Sequence, residues 1–214
     1  MKKVLIVIAI VIVTLVAGVA IFALIYEKND EKHRVNHDRL SKKEIAELRS
    51  GDIILRRGFG LVSASIASSL NEDFSVSHCG IVDVDSNGNV RVIHSVSSSL
   101  SDFDGLQDCT INEFCKESKE NSLMVVRFRD TADVPLANLA KTAQTYLDRK
   151  IPFDGVFDIT ENDEMYCSEM VWSALKENYD YDIYPDKSKT AVIKFGPFFD
   201  TVHFQRIINH HKAE

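Results

Sequence analysis

The sequence predicts an α+β domain behind one membrane-spanning helix, and three observations carry that reading. Residues Val4 to Ile25, VLIVIAIVIVTLVAGVAIFALI, hold no charge and break their apolar run only at Thr14 and Gly18. A hydrocarbon layer about 30 Å thick needs roughly 20 helical residues to cross it. Further on, four short strand patterns (DIILRR, SHCGIVDV, VRVIHSV and LMVVRFR) are interleaved with segments of helical period. Finally, 214 residues at 45% hydrophobic content suit one ordinary domain and are too few for two.

The apolar opening also fits a cleaved signal peptide, because Lys2 and Lys3 form a basic start and Gly18-Val19-Ala20 offers a small-residue cleavage site. Signal cores run about 7–15 residues, so the longer run here favours an uncleaved anchor over residues 1–26. Lys2, Lys3 and the amino terminus favour a cytoplasmic N-end, against Lys28, Lys32, Arg34 and Arg39 on the other side. The expectation is a single-pass protein with its domain outside the cytosol. Residues 27–40, EKNDEKHRVNHDRL, read as a charged linker, and 41–214 as the domain.

Within the domain, Ser41-Lys42-Lys43-Glu44 has the form of a capping box for a helix running to about Arg49, and Ser50-Gly51 ends it. Residues 52–57 form a strand, and GFGLVSASIASSL (58–70) a loop leading into a short helix. The strands 77–84 and 90–96 flank the turn signal Asp85-Ser86-Asn87-Gly88-Asn89, which makes them a hairpin. Residues 97–121 read as loop with one short helix near INEFC. LMVVRFR (123–129) is a further strand. After Pro135, Leu136, Leu139, Ala140, Ala143 and Leu147 mark a helix face, and AVIKFGPFFD is placed as a last strand interrupted by Gly196-Pro197.

Charge excludes one class of partner. Removing Lys2 and Lys3 from the 25 basic residues leaves 23 against 32 acidic ones, a formal −9 for everything beyond the apolar run. Nucleic acid needs a basic surface and is not expected as a partner. Four cysteines do not make a disulfide framework. Cys109 and Cys115 either pair or remain thiols. No CxxC or His/Cys cluster has zinc-ligand spacing, and His33 and His37 have no further ligands beside them, so no metal or cofactor is expected.

The chemistry centres on MYCSEMVWSALKENY (165–179). Met170, Val171, Ala174 and Leu175 make an apolar helical stripe that starts at Cys167. A cysteine there is either a small core residue or a nucleophile, since a helix N-terminus stabilises a thiolate. A nucleophilic thiol needs a base, usually histidine, and a polar group to hold that base in one tautomer. The hairpin supplies both. His78 opens one arm beside Gly80, which permits close backbone approach, and His94 lies on the other arm on one face with Val90, Val92 and Val96.

Together, GDIILRRGFG (51–60), SHCGIVDV, VRVIHSV and MYCSEMVWSAL, in that order, resemble the circularly permuted papain-like thiol hydrolases of the NlpC type, and within them the YiiX-like branch. The resemblance covers about residues 50–180. It implies a small antiparallel sheet packed with helices, with Cys167 as nucleophile, His78 as base and Tyr166 lining the site. His94 falls where this branch often has Glu as the orienting residue; the related lecithin-retinol acyltransferase-like proteins use a second histidine. Papain has its cysteine before its histidine, and the reverse order here is the mark of the permutation. The implied substrate is a small peptide, an amide or a lipid acyl group. The alternative is a non-catalytic binding module that keeps the fold and the cleft. Asp154, Asp158, Asp163 and Glu164 in the approach loop read as a solvated acidic segment, and Glu169, whose charge opposes a thiolate, is expected to point away or to be neutralised.

Overall fold

The computed structural model describes residues 2–34, 39–131, 134–160, 163–184 and 192–211. Its centre is a six-stranded antiparallel sheet in the order β4-β3-β2-β1-β5-β6. The strands are β1 (Ile53–Arg56), β2 (His78–Val84), β3 (Val90–Val96), β4 (Gly105–Thr110), β5 (Met124–Phe128) and β6 (Phe204–Asn209). The helices are α1 (Lys2–Glu31), α2 (Lys42–Glu47), α3 (Gly60–Leu70), α4 (Ile111–Lys116), α5 (Ala137–Asp148) and α6 (Cys167–Tyr179).

Period-2 alternation divides the core between the two sheet faces. Ile53, Leu55, Cys79, Ile81, Ile93 and Val126 meet Leu139, Ala143, Met170, Val171 and Leu175 from α5 and α6. On the opposite face Ile54, Val82, Val92 and Val125 meet Leu48 and the α4 residues Ile111, Phe114 and Cys115. The β2–β3 hairpin forms in the register Val82↔Val92, with Asp85 Oδ1 accepting from the Asn87 and Asn89 N–H groups. The Ser41/Glu44 capping box is present, although its helix stops at Glu47 rather than Arg49.

Two strand expectations need correction. The polar GLQDCT segment, read as loop, is the edge strand β4: it pairs through its backbone along β3 and buries little beyond Leu106. In AVIKFGPFFD, Gly196–Phe199 is a 3-10 turn that buries Phe198 and Phe199, and the last strand lies further on, at Phe204–Asn209. His37 of the His33/His37 pair lies outside the described residues.

The segment read as a linker begins as a continuation of α1, which runs through Glu31. Asp30 accepts the Gly60 N–H (2.7 Å), Glu27 accepts the Leu61 N–H (2.9 Å), and Asp30 is paired with Lys119 (2.8 Å). The first turn of α3 has no cap from Phe59, its own N-cap residue. The α1 acids therefore satisfy amides that would otherwise be unpaired and meet the positive end of the α3 dipole. Gly60 is required at the contact: its φ is +84°, and a Cβ would lie 2.8 Å from Glu27 Oε2.

Candidate active site

Cys167 opens α6, and the first intrahelical bond of that helix is donated by Met170 N–H to Tyr166 O (3.0 Å). The Cys167 amide thus lies ahead of the helical ladder, at the positive end of the dipole. Three ties fix this turn. Ser95 Oγ donates to Met165 O (2.5 Å) from β3, Ser168 Oγ donates to Ile193 O (2.6 Å), and Ile193 N–H donates to Tyr166 Oη (2.7 Å). Tyr166, expected to line the site, is only 2% exposed, and its hydroxyl is taken up by that bond. It holds the turn before the cysteine. Ser168 is likewise buried and neither caps the helix nor faces water.

Against this turn β2 brings His78 and Cys79. Hydrogen bonding from the Cys79 thiol, the charge of His78 with its side-chain hydrogen bond, and the Cys79 N–H hold the Cys167 thiol well below its ordinary value, while burial pulls the other way. Cys79 is fully buried; burial and its neighbour push its own thiol well up, so it keeps its proton and donates. Cys167 itself is partly exposed, as an attacking group must be.

His78 Nε2 lies 2.8 Å from His94 Nδ1, leaving the other ring nitrogen of His78 for Cys167. The pair is diagonal, because the hairpin register, in which Ile81 faces Ile93, carried one residue further sets His94 across from Gly80. A Cβ on residue 80 would come 2.6 Å from Val92 Cγ1 and 3.1 Å from His94 Cβ, so glycine is what lets the second imidazole approach. Burial, then the charges of His78 and Arg56, push His94 well below the ordinary histidine value of about 6.5. Those forces favour its neutral form.

The structure therefore brings Cys167, His78 and His94 together, and adds residues that sequence reasoning missed. Phe114 of α4 stacks on His78 (centroids 5.6 Å apart, 27° between planes) and meets His94 edge-on (5.4 Å, 88°). Arg56, opposite His78 in the β1–β2 register, lies over the same ring and donates to Glu117 O. Cys79 was legible only as the neighbour of His78 in SHCGIV. The other histidines lie elsewhere: His203 pairs with Asp130 and His210 with Glu44. Cys109 and Cys115 are not joined by a disulfide. Among the described residues no group of three or more His, Cys, Asp or Glu side chains is placed to hold a metal.

Burial favours the neutral form of Glu169. It is 0% exposed, and burial, followed by the nearby charges of Asp154 and Asp158, pushes it up to about 8 despite the hydrogen bond from Tyr166 N–H. Asp154 is buried too and accepts the Val156 and Phe157 N–H groups (2.8 Å each), so it orders the approach loop and is not part of a solvated face. An acid whose folded value is raised keeps a proton that the unfolded chain gives up. Its contribution is fully present below the ordinary value near 4.5 and is lost as pH rises towards about 8. Glu169→Gln should consequently gain stability relative to the parent across that window, measured as the difference between urea midpoints at pH 4.5 and pH 8. Parallel curves for the two chains would refute the assignment.

A thiol at a helix N-terminus beside a strand histidine, with the histidine earlier in the chain, is the arrangement that the resemblance to permuted papain-like proteins implies. The model of the permuted papain-like amidase family, YaeF/YiiX, C92, matches residues 47–190, and the chain belongs to that family. Among solved structures, the metalloprotein yiiX from Escherichia coli O157:H7 is similar at 19% identity, with a TM-score of 0.60 over 78% of this chain and 99% of that one; the likeness concerns the fold. No curated protein matches the chain.

Proposed function

We propose that the protein is a membrane-anchored cysteine hydrolase that cleaves an amide or ester bond through an acyl-enzyme on Cys167. The observation that carries this is the His78–His94 bond of 2.8 Å set against a cysteine at the head of α6. His78 takes the Cys167 proton, and the thiolate attacks the carbonyl carbon of the substrate. The oxyanion so formed lies at the start of α6, where the Cys167 N–H is one donor; loss of one such donor typically costs about 3 kcal/mol of barrier. As the carbon–nitrogen or carbon–oxygen bond breaks, His78 returns its proton to the departing amine or alcohol. It then deprotonates the incoming water, and the acid leaves with regeneration of the thiol. Throughout, His94 holds the His78 ring through Nε2.

The long apolar helix α1, none of whose residues is buried, supports anchoring in a bilayer with the domain at its surface. Substrates are a small peptide, another amide or a lipid acyl group. The test is p-nitrophenyl acetate given to the full chain in detergent, with the acylated peptide located by mass spectrometry. One acetyl group on the Cys167 peptide, released with time and absent from Cys167→Ala, is the expected result. Acetylation elsewhere, or none, would overturn the proposal and favour a binding module.

A further inference from the structure

The second imidazole is not the end of the chain of contacts. Cys109 Sγ lies 3.4 Å from His94 Nε2, the nitrogen that faces away from His78. In the β3–β4 register His94 stands opposite Gln107, so Cys109 continues across a third strand the diagonal that already joins His78 to His94. We propose that Cys109 is a positioning residue whose sulfur accepts the His94 Nε2–H and so keeps Nδ1 open to accept from His78. This rests on the Cys167–His78 chemistry proposed above.

A protonated His78 has an N–H on each nitrogen, one aimed at the thiolate and the other at His94 Nδ1. Nδ1 can accept only if the single proton of neutral His94 is on Nε2, and in the buried ring that proton needs a partner. Among the described residues the hydrogen-bond partners of His94 are His78 and Cys109.

The groups facing this pair are accounted for. His78 approaches from β2 and Arg56 from β1, and the Phe114 N–H of α4 reaches Cys109. The nearby acids are engaged elsewhere: Asp108 with Arg91 (2.7 Å), and Glu113 with the Thr110 N–H (2.8 Å). A carboxylate in place of Cys109 would favour a second imidazolium, reverse the His94–His78 bond and disable the base. A thiol does not, because burial pushes Cys109 up to about 12 and it stays neutral.

The experiment reads the ring nitrogens of His94 directly, by nitrogen-15 NMR of histidine-labelled full chain in detergent at pH 7, assigned by loss of the signal in His94→Gln. Wild type should show protonated Nε2 and bare Nδ1. Cys109→Ser, which keeps an acceptor, should show the same, whereas Cys109→Ala should move both shifts towards the average of the two tautomers. Iodoacetamide modification of Cys167 at pH 6 should slow about threefold to tenfold in Cys109→Ala only. Protonated Nδ1 in wild type, or an alanine variant unchanged in both readouts, would overturn the proposal. The wild-type spectrum decides even if Cys109→Ala does not fold. An ordinary, slowly modified Cys167 in wild type would sink the proposed function instead, and leave the ring-nitrogen spectrum to judge Cys109 alone.

Discussion

Replacing His78 with alanine should slow acylation of Cys167 by about 10²- to 10⁴-fold, the range that a positioned acid–base group supplies. It should also move the midpoint of the pH–alkylation curve of Cys167 upward. The sign follows from the forces on the thiolate. Hydrogen bonding from Cys79 and the charge of His78 hold the thiol down, and burial pulls it up. With His78 gone, the Cys79 donor remains but the imidazolium no longer opposes burial, so the midpoint rises from well below an ordinary thiol's value of about 8.5 without losing all its depression. His94→Ala should act in the same direction and more weakly, since His78 would keep its charge but lose the acceptor 2.8 Å away that holds its ring. An alkylation curve identical in His78→Ala and the parent would remove His78 from the mechanism.

The largest effect on stability is expected far from the thiol. Asp52 is 0% exposed and accepts from Arg127 at both Nε (2.6 Å) and Nη2 (2.8 Å), and from the Arg49 N–H (2.8 Å). The Arg127 side chain is itself only 15% exposed. Removing one member of a buried, hydrogen-bonded ion pair leaves an uncompensated charge and typically costs about 3–5 kcal/mol. Asp52→Ala should therefore lower the unfolding free energy of the full chain, read from urea titration, by that much, because β1 is bonded on both sides, to β2 and β5, and Asp52 stands at its entrance. Replacing both partners with apolar residues of similar size should recover most of the loss. A small effect in the single variant would mean that water reaches Arg127 and pairs it.

Much of this organisation was legible because it obeys strong local rules. The hairpin announced itself through the Asp85–Asn89 turn, and α6 through the spacing of Met170, Val171, Ala174 and Leu175; both are present where the pattern put them. What escaped depends on pairing across distance. Strand β4 is an edge strand with a polar outer face, and its existence is decided by the backbone of β3 rather than by its own composition. Phe114 looked like one apolar residue in a short helix, and only the packing of α4 against the sheet brings it onto both imidazoles. Adjacency to Cys167 made Tyr166 legible, but not the bond that its hydroxyl accepts from Ile193 N–H. Glu169 was legible as a problem for the thiolate, and burial is the solution the sequence could not display.

The junction at Glu27 and Asp30 has a mechanical meaning. Were residues 27–40 a flexible tether, the domain would wander over about 20 Å, by random-coil scaling of roughly 5–6 Å times the square root of the length. Instead the long apolar helix α1 is clasped to α3 within two turns of its last apolar residue, Ile25. A chain held in a bilayer this way has a set altitude and bearing. With the proposed anchor in place, the Cys167 site would then patrol a single plane, and bonds lying above or below that plane would be out of range whatever their chemistry.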